Sequence, residues 1–130
     1  MMLESLLAEV SKLSKIHRVA GGLVEFALSL EPNSELKSEH GRYVVRPKNF
    51  VTFSVHSSRT NNLTVTMRGN PSEFEHTAEL LVKKDQNGYS VFRLEEIGQL
   101  AAAANHIKRA HTLFDRGRTR PIKAVKTVEI

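Results

Sequence analysis

Residues 42–68, RYVVRPKNFVTFSVHSSRTNNLTVTMR, hold the two clearest runs of alternating apolar and polar residues in the chain. Val51, Phe53 and Val55 fall on one side of an extended segment, with Thr52, Ser54 and His56 on the other. After a polar turn, Leu63, Val65 and Met67 alternate with Thr64, Thr66 and Arg68. Strand side chains change face at every residue, so the pattern predicts a hairpin with one apolar and one polar face. A lone hairpin is marginal in water. Other elements must therefore cover its apolar side.

Working outward, Arg42 to Arg46 reads as a strand ended by Pro47, and Glu35 to Ser38 as a short strand before it. Asn49 to His56 and Leu63 to Gly69 complete a meander of antiparallel neighbours. Farther on, Ala78 to Lys84 and Tyr89 to Leu94 flank Asn87-Gly88, a strong hairpin signal, though residues 76–82, HTAELLV, equally suit one or two helical turns. On the N-terminal side, Leu3, Leu6, Leu7, Val10 and Leu13 recur at helical spacing. The Gly21-Gly22 pair predicts a break, giving helices over 2–19 and 22–30. Glu31-Pro32-Asn33-Ser34 ends the second. Residues 95–114 predict a long helix with Ile97, Leu100, Ala101, Ala104, Ile107, His111 and Phe114 on its apolar face, closed by Gly117. Residues 115–130 form a basic tail in which Ile122 to Ile130 has the character of an edge strand. The expectation is a single α+β domain over 1–130: N-terminal helices in 1–30, a mainly antiparallel sheet of about five strands within 35–94, and a C-terminal helix packed on it.

At 130 residues the chain is long enough for one core without staples. Cysteine is absent, which rules out disulfides, thiolate zinc sites and a cysteine nucleophile. No secretory leader and no membrane-length apolar run is visible, and a cytoplasmic location is expected. The net charge is +5 and the pI near 9.7. Residues 1–36 hold three Lys/Arg and five Asp/Glu, residues 37–114 eleven and seven, and residues 115–130 five and two. Positive charge thus accumulates toward the C-terminus, which favours polyanionic partners.

Motifs for catalysis or metal binding are missing. The six histidines form no HExxH pair, and there is no GxSxG, GxxxxGK[ST] or GxGxxG. A non-enzymatic role without cofactor or metal is therefore expected. Two basic sets remain as candidate nucleic-acid contacts. The first is Arg46, Lys48 and Arg68 with the ring of Phe50, among further basic and aromatic groups at Arg42, Tyr43 and Arg59, because aromatic rings among cations on an open sheet can stack bases. The second is Lys108, Arg109, Arg116, Arg118, Arg120 and Lys123, each able to meet a phosphate. The alternative function is protein interaction: the N-terminal apolar stripe has the spacing of a dimerisation or partner-binding helix. An enzyme with a scattered site ranks third.

The run from Val24 through Pro32, Tyr43, Asn49-Phe50 and LTVTM, followed by GYSVFRLEEIGQLAAAANHIKRAH, resembles a small uncharacterised bacterial domain. That domain occurs alone or at the C-terminus of proteins labelled predicted transport proteins and of restriction- or defence-associated proteins. The likeness covers residues 23–114. VKKDQNG replaces a Gly/Trp-rich loop common in that family, and Leu94 a small polar helix cap. The resemblance implies a compact α+β domain in the company of nucleic-acid or defence systems, and no activity.

Overall fold

The computed structural model describes residues 2–58 and 60–119. Six strands form one antiparallel sheet: β1 (Glu35–Glu39), β2 (Arg42–Arg46), β3 (Val51–His56), β4 (Asn62–Arg68), β5 (Lys83–Lys84) and β6 (Tyr89–Leu94), in the order β1-β2-β3-β4-β6-β5. The alternation in 51–68 becomes register: Phe53 pairs with Val65 and Val51 with Met67, while Thr52 pairs with Thr66 and Ser54 with Thr64. Paired residues share a face. Phe53, Leu63, Val65, Met67, Phe92 and Leu94 therefore build one continuous apolar surface, all essentially sealed from solvent. Three helices, α1 (Met2–Val10), α2 (His17–Ser29) and α3 (Leu100–Thr119), pack against it and complete a single core.

The helix boundaries differ from those expected. The break falls at 11–16, where the amides of Lys12, Leu13 and Ile16 bond three residues back, to Glu9, Val10 and Leu13. The Ser11 hydroxyl donates to the Ala8 carbonyl at 2.6 Å, a local bond that competes with helix continuation. The tightened turns deliver Leu13 and Ile16 into the core. Gly21 and Gly22 instead lie inside α2. Each glycine costs a helix about 1 kcal/mol, less than a helical path returns by burying Ala20, Leu23, Val24 and Ala27. Leu6, Val10 and Leu13, the stripe that a dimer contact would use, are enclosed in the chain's own core.

β5 is two residues long where a strand over 78–84 is expected. Leu80 turns inward, and the Glu79 carbonyl accepts a bond from Gln99 Nε2 at 2.9 Å, pulling 78–82 away from the ladder. A 3₁₀ turn at Ile97–Gln99, closed by a reciprocal Glu96–Gln99 capping box, precedes α3. The helix buries Ala103, His106, Ile107 and Ala110, while Ile97 and Ala101 are exposed. Leu100, Ala104, Ile107 and Phe114 of the expected face do pack on the core, and the buried side extends from them to Ala103, His106 and Ala110. Gly117 does not end the helix, which runs to Thr119. At the end of β4, Gly69 has φ +117°, and a Cβ there would lie 2.6 Å from Leu113 and 3.2 Å from the Phe74 ring. Only glycine fits.

Candidate nucleic-acid interface

The helices occupy one side of the sheet. On the other side, register defines a row running across all six strands: Lys37, Val44, Thr52, Thr66, Val91 and Lys83. A second row contains Glu39, Arg42, Ser54, Thr64 and Arg93, and a third Glu35, Arg46, Arg68 and Tyr89. Val44 lies outside the main core and, with Thr52, is the deepest part of this face. The strand positions of this face carry six cations, Lys37, Arg42, Arg46, Arg68, Lys83 and Arg93, against two acids, Glu35 and Glu39, while Asp85 and Glu95 line hollows beside them.

Those charges are not equally available. Lys37 pairs with Glu35 at 3.2 Å, and Arg46 holds Glu39 through two bonds of 2.8 and 3.1 Å. The Arg46 guanidinium lowers the Glu39 carboxyl below its usual range. Arg42, Lys83 and Arg93 are exposed, and no carboxylate of the described residues lies within salt-bridge distance of them. Arg42 on β2 and Arg93 on β6 stand three strand spacings apart, about 14 Å. Between them lie only short Ser, Thr and Val side chains. Arg68 is half-buried, its guanidinium 5.8 Å from the centre of the Tyr89 ring and 5.7 Å from that of Phe114.

The residues expected to form one interface divide among several places. Arg46 and Arg68 belong to the uncovered face. Phe50 does not: it is fully buried, its ring meeting His111 edge-on at 4.9 Å, so it offers no platform for a base. The chain bends after Pro47, and Phe50 caps the core at the end of the sheet. Tyr43 is buried too. Its hydroxyl donates to Glu9 at 2.6 Å, and this bond pushes its pKa up to about 12. Lys48 turns away from the face. Lys108 is exposed on the helix layer, on the opposite side of the sheet from Arg42 and Arg93, and Arg109 donates to the Glu73 carbonyl at 3.2 Å. Arg116 is exposed near the end of α3. Arg118 falls in the last turn of α3, and its side chain is outside the described set; so are Arg59, Arg120, Lys123 and the strand expected over 122–130. Tyr89 and Arg93 are residues of this face that sequence reasoning missed. Their signal was phase: Tyr89, Val91 and Arg93 alternate with Phe92 and Leu94, and only one set could face the core.

Lys48 instead joins Glu31, His111 and Asp115 where the end of α2 meets α3. Its ammonium lies 3.1 Å from both Glu31 Oε2 and Asp115 Oδ1, and His111 Nε2 lies 2.7 Å from the same Glu31 oxygen. Hydrogen bonds from His111 and Lys48 lower the Glu31 pKa, and the Glu31 and Asp115 carboxylates raise that of Lys48. Glu31, His111 and Asp115 offer ligand atoms within 4.8 Å of one another, a set able to hold a metal ion. The Lys48 ammonium already takes the cation's part, so a metal would have to displace it. These positions are too far apart in sequence to have signalled one another.

His106 is buried between Phe74 and Phe92, with ring centres 5.5 and 6.2 Å away, and its Nε2 has no hydrogen-bond partner among the described residues. Burial lowers its pKa below the usual 6.5. Below that value the unfolded chain binds a proton that the folded one resists, so stability falls as pH drops from 6.5 toward the depressed folded value. Glu31 has the same sign in a lower window: its contribution is complete above 4.5 and is lost as pH falls through its lowered pKa. We expect urea midpoints to decline in two stages on acidification. His106→Leu should remove the first and Glu31→Gln should flatten the second. A midpoint independent of pH between 7 and 5 would contradict the assignment to His106.

No family profile, curated protein or solved structure matches the chain. No helix of the described residues is long and apolar enough to cross a membrane. The fold and this site define an α+β domain with three helices on one side of an antiparallel sheet and a basic, polar face on the other.

Proposed function

We propose that the chain is a non-enzymatic nucleic-acid-binding module that uses the uncovered sheet face. The observation that carries this is the set of exposed cations on that face, Arg42, Lys83 and Arg93, beside a floor of small hydroxyl side chains; the strand positions of the face hold six cations to two acids, with Asp85 and Glu95 beside them. Cations without carboxylate partners can displace counterions from phosphates, which is the main source of sequence-independent affinity. Residues 120–130 add three cations and one acid to the same attraction. The association with restriction or defence systems that the resemblance implies is compatible with such a ligand.

Fluorescence polarisation with short labelled oligonucleotides tests the proposal. With about four phosphate contacts on a single strand, log K should fall with log salt at a slope of about −3. Absence of binding at low salt, or binding indifferent to salt, would refute it.

A further inference from the structure

Building on that reading, we propose that the ligand is an unpaired strand, one base of which enters the hollow beside Tyr89 and stacks on its ring. The hollow has a volume of about 200 Å³ and is bounded by Tyr89, Arg46, Thr52 and Thr66, with the carboxylates of Glu39, paired to Arg46, and Asp85 also on its wall. A cavity of about 150 Å³ already accepts benzene, so a planar heterocycle fits here. Tyr89 is partly exposed on the basic face. The Arg68 guanidinium lies 5.8 Å from the centre of its ring and 5.7 Å from that of Phe114.

Every base has a π-face, and stacking on an aromatic ring needs no particular base. The Thr66 hydroxyl on the floor can hydrogen-bond a base edge, the Thr52 hydroxyl, which donates to Asn49 Oδ1 at 3.2 Å, can still accept from one, and Arg42 stands beside the hollow where the backbone phosphates would pass. A base held in a duplex is paired and stacked on its neighbours and cannot reach Tyr89 without being flipped out. The face thus selects single strands through one aromatic position, while its cations supply affinity without regard to sequence. Among the candidate aromatics, Phe50 and Tyr43 are enclosed, which leaves Tyr89 as the ring on this face.

The chain lacks tryptophan and has two tyrosines, of which Tyr43 is buried and bonded to Glu9. Intrinsic tyrosine emission therefore reports on Tyr89. Single-stranded DNA and RNA oligonucleotides of about ten nucleotides, and a duplex of equal length, would be titrated into the wild-type chain and into Tyr43→Phe, Tyr89→Phe and Tyr89→Leu. Both single strands should quench the emission of wild type and Tyr43→Phe, and bind more tightly than the duplex. Tyr89→Phe should keep the affinity, since it keeps the π-face. Tyr89→Leu, which retains apolar bulk, should weaken single-strand binding about 5- to 150-fold. A preference for only one of DNA and RNA would still support stacking and would identify the source of the strand. Salt-dependent binding in which the duplex matches the single strands and Tyr89→Leu changes nothing would overturn this inference and leave the electrostatic reading standing. Absence of binding to all three ligands would overturn both.

Discussion

Phe50→Ala will destabilise the fold by about 3–5 kcal/mol, an effect on packing first, although the residue also lines the hollow beside Tyr89. The ring is completely sealed and meets His111 edge-on. The backbone around it is tied as well: the Phe50 amide donates to the Lys48 carbonyl at 2.9 Å, and its carbonyl accepts from the Arg68 amide at 3.0 Å. Truncation leaves a cavity that these bonds prevent from collapsing, so both the transfer and the cavity contributions are lost. It also removes the surface against which His111 sits within the Glu31–Lys48–Asp115 cluster. Denaturant titration would read the loss as a lower midpoint with an unchanged slope. A change below about 1 kcal/mol, accompanied by weakened oligonucleotide binding, would mean that Phe50 is the exposed ring that its position among Arg46, Lys48 and Arg68 suggests in the bare sequence.

Reversing both exposed arginines, Arg42→Glu with Arg93→Glu, should reduce single-strand affinity at low salt by more than about tenfold and lower the salt slope by about 1.4, roughly 0.7 for each phosphate contact removed. Both side chains point into solvent without carboxylate partners among the described residues, so the fold should be nearly unaffected; surface changes of this kind usually stay within about 0.5 kcal/mol. Lys108→Glu is the matched control, because Lys108 lies on the helix layer across the sheet from both arginines. It changes the net charge by the same amount per site but should alter affinity only through the weak long-range field. Equal losses from Lys108→Glu and from either arginine reversal would show that net charge, and not the sheet face, governs binding.

Much of the architecture was legible because period-two alternation is a direct image of strand geometry. Arg42–Arg46 was bounded as observed, and β3, β4 and β6 fall within a residue or two of their expected limits. The segments that were misread are those where long-range contacts outweigh local preference. Gly21-Gly22 looks like a break, yet the core contacts of Leu23, Val24 and Ala27 hold it helical. Ala78–Val82 looks like a strand, yet the burial of Leu80 and the Gln99–Glu79 bond draw it off the ladder. The site was less legible still. A list of basic residues has no sidedness, and only the register places Arg46 and Arg68 with Arg93 and Tyr89 while sending Lys48 into an ion-pair cluster and Lys108 across the sheet. Phe50 follows Pro47 closely, and a bend there cannot be inferred from alternation alone.

The most direct measurement is an amide NMR titration of the full chain with a short single-stranded oligonucleotide at low salt. Binding on the uncovered face should shift the amides of Thr52, Thr64, Thr66, Tyr89 and Arg93 and leave those of Asn105 and Lys108 in place. Shifts centred on Asn105 and Lys108, or a spectrum unchanged at saturating ligand, would contradict the assignment of that face as the nucleic-acid surface.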